Sequence, residues 1–232
     1  MKKHYSIAID GPSGAGKSSL ARRVAAALGF IYVDTGAIYR TVGLACYRAG
    51  IDCKDAAAVG TVLPRLNIQI GFNNAGEQRM YLDEEDVSSR IRMPEISICA
   101  SDVSTLPVVR SYLLDMQRRM AKNSNVIMDG RDIGTVVLPD ADLKIFMTAS
   151  SAARAQRRLL ELQSKGVKTS FEDVFRDIEY RDKQDSTRAA APLRAAEDAV
   201  VLDTTNLNLE ESYRLLCRTI KEKLGVQPIQ SR

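Results

Sequence analysis

Short apolar runs alternate with longer amphipathic stretches along most of this chain. The apolar runs predict β-strands over residues 5–9, 30–33, 126–128, 143–147 and 200–202. The stretches between them predict helices over 18–28, 37–48, 107–120 and 209–224, and a highly charged region over 150–188 predicts further helices, broken near residues 165–166. Strands that alternate with helices in this way predict an α/β fold with a parallel sheet covered on both faces.

The pattern changes between residues 67 and 91. Ile68, Ile70 and Phe72 alternate with polar or small residues, which is the period of a β-strand. Turn residues follow over 73–76, and the strand pattern continues through Met80, Leu82 and Val87 around an acidic turn over 83–86. We therefore expect two or three short antiparallel strands, forming a small sheet inserted into the α/β core.

A glycine-rich loop follows the first predicted strand and matches G-x-x-x-x-G-K-[ST] at every fixed position. It comprises Gly11, Pro12, Ser13, Gly14, Ala15, Gly16, Lys17 and Ser18. Glycines let backbone N–H groups turn toward phosphate oxygens, while lysine supplies a mobile positive charge and serine a hydroxyl for magnesium. We expect Lys17 to project from a surface loop. The alternative is a glycine-rich turn with an accidental Lys-Ser pair, but the strand before it and the helix after it favour a phosphate loop.

Two acidic positions follow other predicted strands, Asp34 after the second and Asp129 after the strand at 126–128. Ligands of parallel sheets bind beyond the carboxyl ends of the strands, so Gly11, Asp34 and Asp129 are expected to converge there. The segment 129–132, Asp-Gly-Arg-Asp, resembles the second nucleotide-site element of phosphate-loop enzymes, whose acidic group can hold magnesium directly or through water. The alternative is a turn with solvated charges.

Arginines are grouped at helical spacing in the charged region. Arg154, Arg157 and Arg158 share one predicted helical face, and Arg181, Asp185 and Arg188 share another. One interpretation is a mobile lid that brings cations to transferring phosphates. The other is a solvated charged face, with Arg181 and Asp185 forming an exposed ion pair.

Composition narrows the class of protein. The net charge of +4 is too small to indicate a nucleic-acid partner. No apolar run approaches the ~20 residues that cross a bilayer, and the first residues do not resemble a signal peptide, so we expect a cytoplasmic protein without a membrane partner. The four cysteines form no C-x-x-C pair and there is one histidine, which argues against a zinc cluster. We also expect the tail over 227–232 to be disordered.

A longer set of motifs resembles the bacterial cytidylate kinases, a family of nucleoside monophosphate kinases. In order these are GPSGAGKSS, DTGAIYR, EDVSSRIR, DGRDIGTVVLPDA, RDKQDSTRAAAPL and VLDTT, and the likeness runs from about residue 6 to 224. The resemblance implies a three-layer P-loop kinase fold with a central parallel sheet, a small antiparallel-sheet insert and a short helical lid. It places the core at 1–36, 107–150 and 189–232, the monophosphate-binding insert at 37–106 and the lid at 151–188.

The resemblance also implies an activity and its participants. A monomeric cytoplasmic enzyme would use ATP and Mg²⁺ to phosphorylate CMP and dCMP. The residues implied to hold ATP are Gly11 through Ser18 together with Ser19 and Arg157. Magnesium would be held by Ser18, with Asp34 or Asp129 acting through water.

The remaining implied roles concern the acceptor nucleotide. Arg40, Arg131 and Arg188 would hold the CMP phosphate, and Arg181 and Asp185 the sugar; Ser101, Arg110 and Asp132 would read cytosine. The implied catalytic set is Lys17, Arg131, Arg181, Asp185 and Arg188. Thr35 is implied to bind the substrate; it stands where the family often has serine, and its hydroxyl preserves this role. A salt bridge between Asp132 and Arg110 is the structural alternative for that pair.

Two rival functions stay open at this point. One is a kinase for a different small acceptor, such as UMP, AMP or shikimate. The other is a nucleotide switch or motor protein, although the N-K-x-D motif with which switch GTPases read guanine is missing from the sequence.

Overall fold

The computed structural model describes residues 4–227, so the predicted disordered tail lies, from residue 228 onward, outside the described residues. Two compact units share the chain. One contains the residues up to Ile31 and those from Asn125 onward, and the other spans Tyr32–Ser124. The functional division into core, insert and lid stays a prediction.

Strands and helices alternate as predicted over most of residues 4–227. The strands are β1 (Ser6–Asp10), β2 (Ile31–Asp34), β3 (Ile68–Phe72), β4 (Gln78–Leu82), β5 (Glu85–Asp86), β6 (Val126–Gly130), β7 (Leu143–Thr148) and β8 (Val200–Asp203). The α-helices are α1 (Lys17–Leu28), α2 (Thr35–Arg48), α3 (Ala56–Val62), α4 (Pro94–Val103), α5 (Pro107–Ala121), α6 (Ser151–Ser164), α7 (Phe171–Thr187) and α8 (Leu209–Leu224). A π-helical turn covers Ile133–Val137.

The predicted central parallel sheet is confirmed, with the strand order β2-β6-β1-β7-β8. β1 is its middle strand and pairs in parallel with β6, Asp10 opposite Gly130, and with β7, Asp10 opposite Phe146. Every residue of β6 is buried, as expected of a strand covered on both faces. The carboxyl ends of β1 and β6 therefore lie side by side.

Helices α1 and α8 of the first unit have recognisable capping residues at one end each. α1 ends at Gly29, which adopts a left-handed conformation with φ of 67°. α8 begins with a capping box between Asn208 and Glu211, and it packs on α1. The charged region forms α6 and α7, separated near Gly166 as predicted.

The second unit packs α2 against α4 over an apolar core that includes Ile38, Val42 and Ile96. The predicted small antiparallel sheet is confirmed, with the order β3-β4-β5. The expected acidic turn over 83–86 is wrong in extent. Only Asp83 and Glu84 turn, both at positive φ, whereas Glu85 already belongs to β5. Helices α3 and α4 were not predicted from the sequence.

None of the α-helices within residues 4–227 is both long and apolar enough to span a membrane.

Candidate functional site

The glycine-rich loop joins the end of β1 to the start of α1. Gly11, Gly14 and Gly16 all have positive φ, 147°, 76° and 86°, which favours glycine at each position. A Cβ at Gly11 would lie 1.9 Å from the carbonyl oxygen of Met147, so the loop passes directly over β7. Gly16 is the N-cap of α1 and has no side chain, which leaves the first N–H groups of the helix to an external acceptor.

Lys17 is the first residue of α1 and is buried, with 5% of its surface exposed. The expectation that it projects from a surface loop is therefore wrong. Its Nζ donates a hydrogen bond to the carbonyl of Pro12 at 2.8 Å, because the loop folds over the side chain. Burial and then the charge of Arg131 lower the pKa of Lys17 from 10.5 to about 7, although Asp129, Asp185 and Asp10 oppose the shift.

Ser18, predicted to hold magnesium, lies beside Asp129, one of the two carboxylates considered for that ion. The Ser18 hydroxyl donates to Asp129 Oδ2 at 2.6 Å, and Asp129 is buried. A hydroxyl and a carboxylate are oxygen donors of the kind that Mg²⁺ takes alongside substrate phosphates and water, so this pair fits that ion. Among residues 4–227, no group of three or more His, Cys, Asp and Glu side chains is arranged to hold a metal.

Four predicted substrate residues of the first unit form an alternating chain of charges, here called the Arg–Asp cluster: Arg131, Asp185, Arg188 and Asp132. Arg131 Nε meets Asp185 Oδ2 at 2.7 Å, Asp185 Oδ1 lies 3.9 Å from Arg188 Nη1, and Arg188 Nη2 meets Asp132 Oδ1 at 3.3 Å. Burial disfavours the charge of Arg131, but Asp185 outweighs it and holds the pKa of Arg131 above its ordinary value. Asp185 therefore keeps the guanidinium of Arg131 charged.

Asp185 and Arg181 do not form the exposed ion pair that was the alternative for them. Asp185 is buried, and its carboxylate faces Arg131 and Arg188 instead. Burial, followed by the nearby Arg158, lowers the pKa of Arg181. A further cation near Arg181 is thus disfavoured, whereas an anion is favoured.

The three arginines of α6 share a face but have different surroundings. Arg154 is buried and forms a two-bond pair with Asp182 at 3.0 and 2.6 Å, and it also donates to the carbonyl of Ser13 at 3.0 Å. The solvated-face interpretation is therefore wrong for Arg154, which ties α7 and the phosphate loop to α6. Arg158 forms a surface pair with Glu161 at 2.7 Å.

Arg157, which was predicted to bind ATP, donates hydrogen bonds to backbone carbonyls of the segment that follows β8. Its guanidinium donates to the carbonyls of Thr204 and Leu207, the latter at 3.1 Å. Burial lowers its pKa. Its role toward ATP stays a prediction.

In the second unit, the segment after β2 positions three predicted residues. Asp34 caps α2 by accepting the N–H of Ala37 at 2.9 Å, and its other oxygen pairs with Arg40 at 2.7 Å. Burial opposes ionisation of Asp34, yet Arg40 and the Ala37 N–H hold its pKa below the ordinary value. Thr35 is buried as the first residue of α2. The Asp34 carboxylate is thus engaged by Arg40 and by the start of α2, whereas the Asp129 carboxylate accepts the Ser18 hydroxyl.

The Nε of Arg40 is buried and has no hydrogen-bond acceptor among the residues the structure describes. A buried guanidinium nitrogen without an acceptor is costly, which is typical of a group that a ligand completes.

Ser101 and Arg110, the predicted cytosine readers of the second unit, are connected through Ser104. Arg110 Nη1 donates to the Ser104 carbonyl at 3.1 Å, and the Ser104 hydroxyl donates to the Ser101 carbonyl at 2.7 Å. The Arg110 guanidinium also lies 5.7 Å from the centre of the Tyr39 ring. Their roles toward a base stay predictions.

Two residues that contact the predicted site segments were not identified from the sequence. Asp10, at the end of β1, accepts two backbone N–H groups from residues 133 and 134. Gln78, at the start of β4, bonds both backbone groups of Asp34, accepting its N–H at 2.8 Å and donating to its carbonyl at 3.2 Å. A signal existed for Asp10, since an acidic residue ends an apolar strand directly before the glycine loop. None existed for Gln78, whose partner is 44 residues away in sequence.

Comparison with known proteins gives consistent matches along the chain. A family model described as Cytidylate kinase matches residues 7–222. A curated cytidylate kinase from Caldicellulosiruptor saccharolyticus is 50% identical over 225 residues, covering 97% of this chain and 99% of that relative. One from Exiguobacterium sp. is 47% identical over 222 residues, covering 96% and 99%. The solved structure of an uncharacterized protein from Eubacterium ventriosum has a TM-score of 0.50 at 12% identity, covers 95% of this chain and 99% of that chain, and shares the fold.

Proposed function

Because the chain belongs to the cytidylate kinase family, we propose that it transfers the γ-phosphoryl group of ATP to CMP or dCMP, giving ADP and CDP or dCDP. The observation that carries the proposal is the surroundings of Lys17. The lysine of the phosphate loop is buried beside Arg131, Asp129 and Asp185, so the predicted ATP-binding and acceptor-binding groups of the first unit meet around one ammonium.

The donor nucleotide is held by the phosphate loop in this proposal. The N–H groups of Gly11 through Ser19 and the N-terminus of α1 bind the phosphates of ATP, and Lys17 follows the transferred phosphoryl group. Ser18 and Asp129 hold Mg²⁺, which neutralises phosphate charge when it is bound. Between Asp129 and Asp34, we favour Asp129, because its carboxylate already contacts the Ser18 hydroxyl.

The phosphate of the acceptor binds to arginines. Arg131 and Arg188 hold it from the first unit, where their present carboxylate partners Asp185 and Asp132 orient them. Arg40 contributes from the second unit, and its unpartnered Nε supports that role. Arg181 and Asp185 take the sugar.

Cytosine is recognised by complementary hydrogen bonding. Its amino group is a donor beside two acceptors, N3 and O2, which suits the carboxylate of Asp132 and the guanidinium of Arg110. Uracil presents a carbonyl and a ring N–H on that edge, which would leave the same groups unpaired. We therefore expect the protein to prefer CMP to UMP. Ser101 is the third residue assigned to cytosine recognition.

The reaction needs no covalent partner from the protein. An oxygen of the acceptor phosphate attacks the γ-phosphorus, the bond from that phosphorus to the β–γ bridging oxygen breaks, and ADP leaves with the electron pair. The residues position the two phosphates and neutralise the charge that spreads over the transferring group. Several arginines around one phosphate loop suit this chemistry.

An assay of ADP release against a panel of acceptors tests the proposal. We expect rapid turnover with CMP and dCMP, slow turnover with UMP and AMP, and little ATP use without a monophosphate or with shikimate. Chelation of Mg²⁺ should abolish turnover, and added Mg²⁺ should restore it. Faster reaction with UMP, AMP or shikimate would identify a different kinase. ATP hydrolysis that ignores the acceptor would favour a switch or motor protein.

A monomeric state and a cytoplasmic location complete the proposal. Gel filtration with light scattering at assay concentration tests the first, and fractionation of the producing cell tests the second.

A further inference from the structure

Asp10 is a buried carboxylate at the last position of β1, directly before Gly11. Its Oδ1 accepts the N–H of Ile133 at 2.8 Å, and its Oδ2 accepts the N–H of Gly134 at 2.7 Å. Both donors belong to the π-helical turn Ile133–Val137, which directly follows Arg131 and Asp132. One side chain thus connects the strand that leads into the phosphate loop with the turn that follows two predicted acceptor residues.

The turn needs an external acceptor at its start. Later N–H groups are satisfied within it, since Val136 and Val137 donate to the carbonyl of Asp132 and Leu138 donates to that of Ile133. The first N–H groups of a helical turn have no such partner, and buried N–H groups are costly when unpaired. Asp10 accepts two of them. π-helical turns of this kind are rare and often occur at functional sites.

The fit between Asp10 and the turn is close. A Cβ added at Gly134 would lie 3.4 Å from Asp10 Oδ2 and 3.2 Å from the Lys144 side chain. The backbone of β1 pairs with β6 up to Gly130, so Asp10 fixes the connection that follows β6 through both its backbone and its side chain.

We propose that Asp10 is a positioning residue for the phosphoryl transfer, whose carboxylate holds the turn Ile133–Val137 and thereby fixes Arg131 and Asp132 relative to the phosphate loop. The proposal rests on the proposed function. In this proposal Asp10 acts through the backbone that carries the two acceptor residues and not by binding a nucleotide.

The energetics of Asp10 favour this role over a purely stabilising one. Burial raises the pKa of Asp10 to about 6, and the hydrogen bonds from Gly134 and Ile133 only partly oppose the shift. The ionised carboxylate is therefore held at a cost in the folded protein at neutral pH. A group that is unfavourable for stability yet fully engaged with the turn is suited to fixing geometry.

The test is Asp10→Asn, which preserves shape but places an amide N–H₂ against one of the two N–H donors. We expect the kcat for CMP to fall about 10- to 100-fold, since small displacements of catalytic groups have effects of that size, while the Kd for ATP changes less than about threefold. Amide hydrogen exchange at Ile133 and Gly134, followed by NMR, should accelerate.

Asp142→Asn is the matched control. Asp142 also accepts a backbone N–H and a hydroxyl, both from Ser6, at the opposite end of β1. We expect it to change kcat less than about twofold, even if its unfolding temperature falls. If Asp10→Asn does not fold, Gly134→Ala displaces the same turn and should lower kcat without changing the Kd for ATP.

A kcat for Asp10→Asn within about twofold of the unmodified enzyme would overturn the proposal, as would an equal loss in Asp142→Asn. Unchanged exchange at Ile133 and Gly134 would overturn it too. Failure of the proposed function would be distinct, because the unmodified protein itself would then not phosphorylate CMP.

Discussion

The ammonium group of Lys17 lies in surroundings that disfavour its charge. Burial and the nearby Arg131 lower its pKa to about 7, so much of the free protein carries a neutral amine at neutral pH and above. The phosphates of a bound nucleotide favour the ammonium form. Binding of ATP should therefore be accompanied by proton uptake, which links a property of one side chain to the function of the loop.

The corresponding prediction concerns Lys17→Met. At pH 8, ATP binding to the unmodified protein should take up about one proton, because the free amine is mostly neutral and the bound one is charged. Calorimetry in buffers of different ionisation enthalpy measures this number. Lys17→Met should abolish the uptake and lower turnover by about 10³-fold or more. Lys165→Met, an exposed lysine, is the control, and unchanged uptake in Lys17→Met would contradict the assignment.

Asp132 carries the prediction about base recognition. Asp132→Asn should narrow the ratio of kcat/KM for CMP over UMP by about tenfold or more, mainly through loss of CMP activity, because an amide cannot accept from cytosine's amino group as a carboxylate does. Steady-state kinetics on both nucleotides measures the ratio. Asp140→Asn, an exposed neighbour, should leave it unchanged. The same ratio in Asp132→Asn would mean that Asp132 does not read the base.

At the scale of elements, α7 places its C-terminal end in the Arg–Asp cluster. Arg188 is the C-cap of α7, and its Nε donates to the Ala191 carbonyl at 2.7 Å. Arg154 ties the same helix to α6 through Asp182. The helix is therefore held on α6 by this ion pair and by an apolar cluster that includes Ala155, Val174 and Ile178, and its C-terminal arginine pairs with carboxylates.

Arg188→Ala should consequently reduce turnover more than it weakens CMP affinity, if Arg188 binds phosphate most strongly in the transition state. Arg188→Lys should restore little, because an ammonium lacks the planar fork of the guanidinium. Presteady-state kinetics and equilibrium titration with CMP separate the two quantities. Arg176→Ala, on an exposed face of α7, is the control. A defect confined to affinity would place Arg188 in ground-state binding alone.

Most elements could be predicted because local pattern decides them. The strands of the parallel sheet are short apolar runs, and α1, α5 and α8 show helical periodicity with clear ends. α3 and α4 were missed because they are short, 7 and 10 residues, although Asp55 as an N-cap and Pro94 at the first helical position were usable signals.

Some contacts of the candidate site could be predicted from the sequence and others could not. Ser18 and Asp129 could be paired from topology alone, since β1 and β6 end at one edge of the sheet. The partners of Arg154 and Gln78 could not, because each bond joins residues that only the folded backbone brings together. The burial of Lys17 could not be predicted either, because it depends on how the loop closes over the side chain.

At the scale of the whole molecule, stability should depend on pH through Asp10. Its pKa is raised from 3.8 to about 6, so the folded state binds more protons than the unfolded state between these values. The free energy of unfolding therefore falls as pH rises through this range, as far as Asp10 contributes. Above about pH 6 the Asp10 carboxylate is ionised while still buried, so this loss of stability persists.

Urea unfolding of the unmodified protein and Asp10→Asn from pH 4 to 7 tests this. The difference in unfolding free energy between the two proteins should change by up to about 3 kcal/mol over this range. The unmodified protein should become less stable relative to Asp10→Asn as pH rises. Asp142→Asn serves again as the comparison. A difference that is independent of pH would show that Asp10 has an ordinary pKa.

The close approach of Gly11 to β7 has a consequence for how this sequence can vary. Any side chain at position 11 would overlap the carbonyl oxygen of Met147. The space between them has room for the hydrogen atom of glycine but not for a Cβ. In a library that samples every amino acid at each position, we expect position 11 to return glycine alone under selection for activity. Codon changes that replace this glycine should therefore be removed by selection. Alanine could be accommodated here only if β7 were first displaced from β1.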